Sequence, residues 1–384
     1  MDLFNRIKRF SAAFKMPDLK MFLPKHIYAV PGIECNIYFN NIVTVLNRAD
    51  YFFCVSCNIG RTDAERYRVI PEEKDIGDHE LVITVFDKFG QVAQAETILT
   101  VAPALTEPRN AGILIIGDSL TAAEGYPERI YELLKNEPNL TFNMIGSNSG
   151  NYQIPVPGGV AHEGYGGWGW KTFFTKYNID ENDENDGMHP KHPRERNSRF
   201  LFADNGDVKF DIVRYCEKYN QGKLPDIIII HLGINDVFCD KSRKDLKFSW
   251  QNNILPYLKQ MVEIFRAANP AVRIAFCTPP VGSNSQTSFG KCYSCSYNKW
   301  QWRQNCFFYH SKLADIAGKL NIDIIPVHTA VDGENNYPFE TENINQANPE
   351  MISSPCNAVH PALSGYIQIG NAVFAYLRKI LAKK

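Results

Sequence analysis

The stretch Gly112-Ile113-Leu114-Ile115-Ile116-Gly117-Asp118-Ser119 decides how this chain is read. A continuous apolar run, rather than an alternating one, predicts a strand buried on both faces, and such strands belong to parallel sheets covered by helices. The run ends in small and polar residues that open a helix, one face of which carries Ile130, Leu133 and Leu134. The same alternation continues downstream. Phe142-Asn143-Met144-Ile145 reads as a second strand and Asp226-Ile227-Ile228-Ile229-Ile230 as a third, the most hydrophobic. A helix with Leu255, Leu258, Met261, Val262 and Phe265 follows, then the strand Arg273-Ile274-Ala275-Phe276-Cys277. A helix over residues 307–320 leads to a fifth strand, Ile322-Asp323-Ile324-Ile325-Pro326-Val327, and the last helix covers residues 362–381. Residues 111–384 are therefore expected to form a three-layer α/β/α domain. Ligands of such sheets bind beyond the carboxyl ends of the strands, which is where Ser119 and Asn235 fall.

Before residue 111 the pattern differs. Asn36-Ile37-Tyr38-Phe39, Tyr51-Phe52-Phe53-Cys54-Val55, Leu81-Val82-Ile83-Thr84-Val85 and Thr97-Ile98-Leu99-Thr100-Val101 are rich in β-branched and aromatic residues. Turn chemistry at Pro31-Gly32, Asn58-Ile59-Gly60 and Asp87-Lys88-Phe89-Gly90 punctuates them. Residues 25–104 are expected to be a small β-sandwich of immunoglobulin-like type, joined by a linker over residues 102–110. Residues 1–24 read as a basic arm, as a helix packed on its own protein or a frayed end in preference to a membrane-surface helix.

Composition sets the outer bounds. The chain has 384 residues, 44% hydrophobic and 22% charged, with a formal net charge of −1. That is ordinary for a soluble globular protein of two domains, or one with an extension, and it leaves no basic field to recruit nucleic acid. No run approaches the ~18 apolar residues of a membrane span. No signal-peptide core can be drawn, so as written the chain reads as cytoplasmic, although a removed export signal leaves no trace. Without an export signal the ten cysteines read as reduced thiols. The pairs Cys54/Cys57 and Cys292/Cys295, with Cys306 nearby, are too scattered for a structural zinc site. His189 and His192 belong to a polar insertion over residues 180–200 that reads as a solvated loop. No metal and no organic cofactor is expected.

Four blocks carry chemistry: Gly117-Asp118-Ser119-Leu120, Gly164-Tyr165-Gly166-Gly167, Gly233-Ile234-Asn235-Asp236 and His360-Pro361. A serine hydroxyl needs a base within reach and donors for the developing oxyanion. At a strand-to-helix turn the Ser119 N–H faces such an oxygen, with the helix dipole behind it, although Asp118-Ser119 also serves as an ordinary helix cap. Glycines in the second block bring backbone close to a ligand.

In this order the blocks resemble the SGNH (GDSL-type) hydrolase superfamily, over about residues 111–382. The resemblance implies a flavodoxin-like three-layer fold, Ser119 as nucleophile and His360 as base. It also implies an oxyanion site made by Ser119, Gly167 and Asn235. Where most members carry Asp three residues before the histidine, this chain has Asn357. An amide carbonyl can orient imidazole but cannot offer it charge, and Asp to Asn in a Ser-His-Asp protease cost about four orders of magnitude. Either Asn357 suffices, or a carboxylate among Asp332, Glu334, Glu340, Glu342 and Glu350 serves. His162-Glu163-Gly164-Tyr165-Gly166-Gly167-Trp168 looks like the second block of SGNH carbohydrate acetylesterases. Trp168, Trp170, Trp300 and Trp302 are candidate sugar-binding faces, and equally candidates for the core.

The expected function is a serine esterase acting on a short acyl group, acetyl first, on a small-molecule or glycan ester. A lipid-directed esterase or lysophospholipase of the same superfamily and a catalytically weak carbohydrate-binding protein are the alternatives. A nucleotide-binding module is disfavoured, because the first loop lacks phosphate-cradling glycine spacing. Oligomeric state is not legible.

Overall fold

The computed structural model describes residues 19–149, 160–178 and 197–382. His189, His192 and most of the N-terminal arm and polar insertion lie outside these residues. Within the arm, Lys20–Met21 pairs antiparallel with Val43–Thr44.

The N-terminal segment contains strands β1 (His26–Ala29), β2 (Cys35–Tyr38), β3 (Phe52–Ser56), β4 (Arg66–Val69), β5 (Gly77–Asp87) and β6 (Gly90–Val101). Strands β5 and β6 form a long hairpin, its turn held by Asp87 Oδ1 accepting from the amides of Phe89 and Gly90. One sheet has the order β1-β6-β5-β3, with β1 parallel to β6 and the remaining pairs antiparallel. A second sheet pairs β2 with β4, and β4 with Arg61–Thr62. Alternation along β5 buries Leu81, Ile83 and Val85 completely, as the period of two demands. They share a cluster with Ile37, Phe39 and Phe53. Phe39 does not extend β2 as the aromatic run suggested; it opens a helical turn, Phe39–Ile42, and stacks on Phe53 with ring centroids 4.6 Å apart.

From residue 109 the chain alternates as its hydrophobic runs predict. The elements are β7 (Arg109–Gly117), α1 (Ser119–Ala122), α2 (Gly125–Lys135), β8 (Leu140–Ile145), α3 (Ile212–Tyr219), β9 (Ile227–His231), α4 (Leu255–Ala268), β10 (Arg273–Cys277), α5 (Lys299–Leu320), β11 (Asp323–Ile325) and, after an inserted hairpin, α6 (Leu363–Leu381). The strand order is β8-β7-β9-β10-β11, every pair parallel. This is the 2-1-3-4-5 order of one class of doubly wound folds. Residues 113–116 of β7 and 228–230 of β9 are fully inaccessible, which explains why no polar residue interrupts either run. Helix α2 packs on α6, and α3 on α4. Among the described residues no helix is long and apolar enough to cross a membrane.

The inserted hairpin, β12 (Phe339–Asn345) and β13 (Asn348–Pro355), was not anticipated. Its side chains are mostly exposed, so no burial pattern marks it in the sequence. The N-terminal segment is bolted to the α/β unit by Asn41, whose buried Nδ2 donates to the carbonyls of His328 at 2.8 Å and Val331 at 2.7 Å. Replacing Asn41 by Ala leaves two interior carbonyls without donors, and such a loss costs about 1–3 kcal/mol. We expect Asn41→Ala to lower the thermal midpoint by several degrees; an unchanged melt would show that the two parts are held elsewhere.

Candidate active site

The first and fourth blocks meet at the carboxyl edge of the parallel sheet, with the second block paired beside the first and the third tied to the second. Strand β7 delivers Gly117, after which α1 folds back so tightly that a Cβ on Gly117 would lie 1.8 Å from Thr121 Oγ1. Asp118 is buried and caps α1 by accepting the Leu120 N–H at 2.9 Å; burial pushes its carboxyl up to about 7. The capping role and the presentation of Ser119 therefore coexist. Ser119 is 8% exposed, and its Oγ lies 2.8 Å from His360 Nε2 across 241 positions of sequence. No described residue accepts the Ser119 N–H.

His360 is held by the turn before α6. Asn357 Oδ1 accepts two backbone amides, from Val359 at 3.1 Å and His360 at 2.9 Å. This corrects the expectation that Asn357 orients the imidazole directly: its oxygen shapes the turn that carries the ring. None of the five alternative carboxylates takes the role either. Glu340 and Glu342 pair with Lys291 at 2.6 and 2.8 Å, and Asp332 caps the amides of Glu334 and Asn335. Among the described residues no carboxylate reaches His360. Burial alone lowers the pKa of its imidazole, with no charged neighbour raising it.

Asn235 donates from Nδ2 to Trp168 O at 2.9 Å. This ties the third block to the second and leaves the other amide hydrogen free of described partners. The neighbouring Asp236 accepts the Trp170 N–H at 3.1 Å. In the second block Trp168 N donates to Tyr165 O at 3.2 Å, closing a turn whose third residue, Gly167, has φ +81°. A type II turn needs positive φ there, hence glycine. No described residue accepts the Gly167 N–H, and the residue is exposed.

The tryptophans divide. Trp168, Trp170 and Trp302 are at most 3% exposed and present no face to a ligand, contrary to the sugar-binding expectation. Trp168 stacks on Tyr165 at 4.1 Å, and Trp170 donates from Nε1 to Tyr309 Oη at 3.0 Å. Only Trp300 of the four is half-buried.

Sequence reasoning gave no role to the residues beneath the second block. Glu163 is fully buried, and its carboxylate accepts from Ser147 N, Ser147 Oγ, Tyr165 Oη and Tyr215 Oη at 2.5–3.1 Å. His162 Nδ1 accepts the Gly164 N–H at 2.9 Å, so its proton sits on Nε2 and is donated to the buried Glu124 at 3.2 Å. An acidic residue inside a glycine-rich block was the available signal, since a buried carboxylate requires several donors.

No protein-family model matches the chain, and no curated protein does. Solved structures are similar to it at low identity. The carbohydrate acetylesterase family member from Sinorhizobium meliloti is 14% identical, covering 71% of this chain and 100% of its own, with a TM-score of 0.40. The family 3 carbohydrate esterase of Clostridium thermocellum is 15% identical over 72% and 100%, with a TM-score of 0.38. An acetyl xylan esterase from Geobacillus stearothermophilus is 17% identical over 71% and 96%, with a TM-score of 0.36. At these scores the chemistry has to be read from the geometry of the site.

Two outcomes follow from that geometry. Glu163→Gln converts one acceptor oxygen into a donor facing hydroxyl groups, which we expect to destabilise the protein by about 1–3 kcal/mol; a denaturant melt matching the parent protein would remove Glu163 from the support of the loop. Asn357→Asp keeps both turn hydrogen bonds and adds a negative charge near the imidazole. That charge favours imidazolium, so the acid limb of any pH–rate profile should move upward.

Proposed function

We propose that this chain is a serine esterase that removes a short acyl group, acetyl first among them, from a carbohydrate. The contact of 2.8 Å between Ser119 Oγ and His360 Nε2 carries the proposal. The second block's resemblance to those of SGNH carbohydrate acetylesterases supports the substrate class. In this reading residues 111–384 are the hydrolase domain, residues 25–104 an accessory β-sandwich and residues 1–24 an arm.

His360 Nε2 takes the Ser119 hydroxyl proton as Oγ attacks the ester carbonyl. The oxyanion is received by the N–H groups of Ser119 and Gly167 and by the free amide hydrogen of Asn235, none of which has a competing acceptor among the described residues. His360 returns the proton to the departing sugar hydroxyl, leaving an acyl group on Ser119. Water deprotonated by the same imidazole then releases the acid. The catalytic unit is a dyad: Asn357 positions the ring through the backbone, and the imidazolium that forms has no carboxylate to stabilise it. Preorganised oxyanion donors alone sustain about 10³–10⁴-fold catalysis in related chemistry, so a dyad is sufficient for an activated ester.

Since burial lowers the His360 pKa, the base stays neutral to lower pH than a free imidazole. The acid limb of kcat/KM should therefore lie below about 6.5. Ser119→Ala should reduce hydrolysis of p-nitrophenyl acetate by about 10³-fold or more. Equal slow turnover by Ser119→Ala and the parent protein would reject the esterase, and a rate rising steadily from acetate to long-chain esters would reject the short-acyl preference.

A further inference from the structure

A cleft of about 440 Å³ opens where the loop after residue 44 meets the N-terminal end of α5. Its walls include Asn47, Asn284, Lys299, Trp300 and Arg303. Arg303 is 2% exposed. Its guanidinium donates only to neutral oxygens, Asn284 Oδ1 at 3.2 Å and Val43 O at 3.4 Å, and its Nε has no partner among the described residues. Lys299 likewise donates to a neutral group, Asn284 O at 2.8 Å. Of the acids lining the cleft, Glu65 is committed to Arg48. Glu334 is exposed; it forms no ion pair with either cation among the described residues, and its charge acts on Lys299 only through space.

Both cations also sit on the first turns of a 22-residue helix, where the backbone dipole is already positive. An interior guanidinium without a counter-charge is costly, and no acid among the described residues pairs with Arg303. The half-buried indole of Trp300 and the amides of Asn47 and Asn284 complete the walls. A flat ring, hydrogen-bonding amides and an interior guanidinium with no acid partner among the described residues together fit an anionic pyranose. The cleft is also tied to the turn that carries His360. Ser283 donates its N–H to Ala358 O at 2.9 Å, two residues before His360, so Asn284 is within roughly 20 Å of chain contour of the base.

We propose that this cleft is a second glycan subsite, which receives a sugar bearing a carboxylate or sulfate group while a neighbouring unit of the same glycan presents its ester to Ser119. Lys299 and Arg303 take the anionic group and Trp300 the ring face. The proposal rests on the carbohydrate-ester reading for the role of the site, but binding at the site does not require turnover.

Calorimetric titration of full-length Ser119→Ala protein separates the two. The probes are trigalacturonate, a sulfated disaccharide and neutral xylotriose. At least one acidic probe should bind about tenfold tighter than xylotriose, and that preference should shrink as salt rises from about 0.05 to 0.5 M. Whichever acidic probe binds identifies the anionic group. Lys299→Gln, at the helix end, should lose most of the preference while keeping the parent melting temperature; Arg303→Lys provides a second variant that retains charge but not the guanidinium fork. Equal affinity for acidic and neutral probes, or an unchanged acidic preference in a folded Lys299→Gln protein, overturns the subsite. A failure of Ser119-dependent hydrolysis with acidic-sugar binding intact overturns the esterase reading alone.

Discussion

The contact between Ser119 and His360 is the constraint around which the rest of the molecule is arranged. It joins the end of the first central strand to the turn before the last helix, 241 positions apart. A parallel sheet makes this meeting economical: each strand delivers its carboxyl end to one edge, so loops far apart in sequence converge there. The strands can afford no polar interruption because both faces are covered. The hydroxyl is thus placed by the rigid interior and the imidazole by a turn leaning on it.

The turn is where this chain departs from a charge-assisted triad. Asn357 spends its oxygen on two backbone amides, which an amide does as well as a carboxylate. What an amide does not offer an imidazole is a negative charge. Charge is present nearby, but buried in supporting roles. Glu163 and the Glu124–His162 pair lie under the glycine block, and Asp118 and Asp236 cap or clamp backbone. Desolvation pushes the carboxyls of Asp118 and Asp236 up to about 7. Their backbone hydrogen bonds oppose that shift without cancelling it.

The α5 terminus has the reverse arrangement. There Arg303 pairs with no acid among the described residues and Lys299 feels Glu334 only through space, and the indole beside them is the one of the four candidate tryptophans that keeps exposed surface. The three interior tryptophans show how far composition can mislead. An indole near a strand end satisfies the pattern of a sugar platform and of a core plug equally, and only burial separates them. In Trp170 the ring nitrogen is bonded to Tyr309, which settles it as a structural residue.

Much of the fold was legible because it depends on short-range pattern. Continuous apolar runs at residues 112–116 and 226–230 require two-sided burial, and that requirement implies the layered α/β architecture. The order of the four blocks then placed Ser119, Asn235 and His360 at one edge. The exposed hairpin over residues 339–355 escaped notice because solvent-facing side chains carry no burial period. The partner of Asn357 escaped because an amide oxygen next to both an imidazole and two backbone amides has a choice that residue type does not express. By itself the sequence determined the buried strands of the parallel sheet, their order along the chain and the residues that are candidates for the chemistry. Only the tertiary structure decided which atoms pair, because pairing is set by distances of a few ångströms between segments hundreds of residues apart, and by which of them water is excluded from.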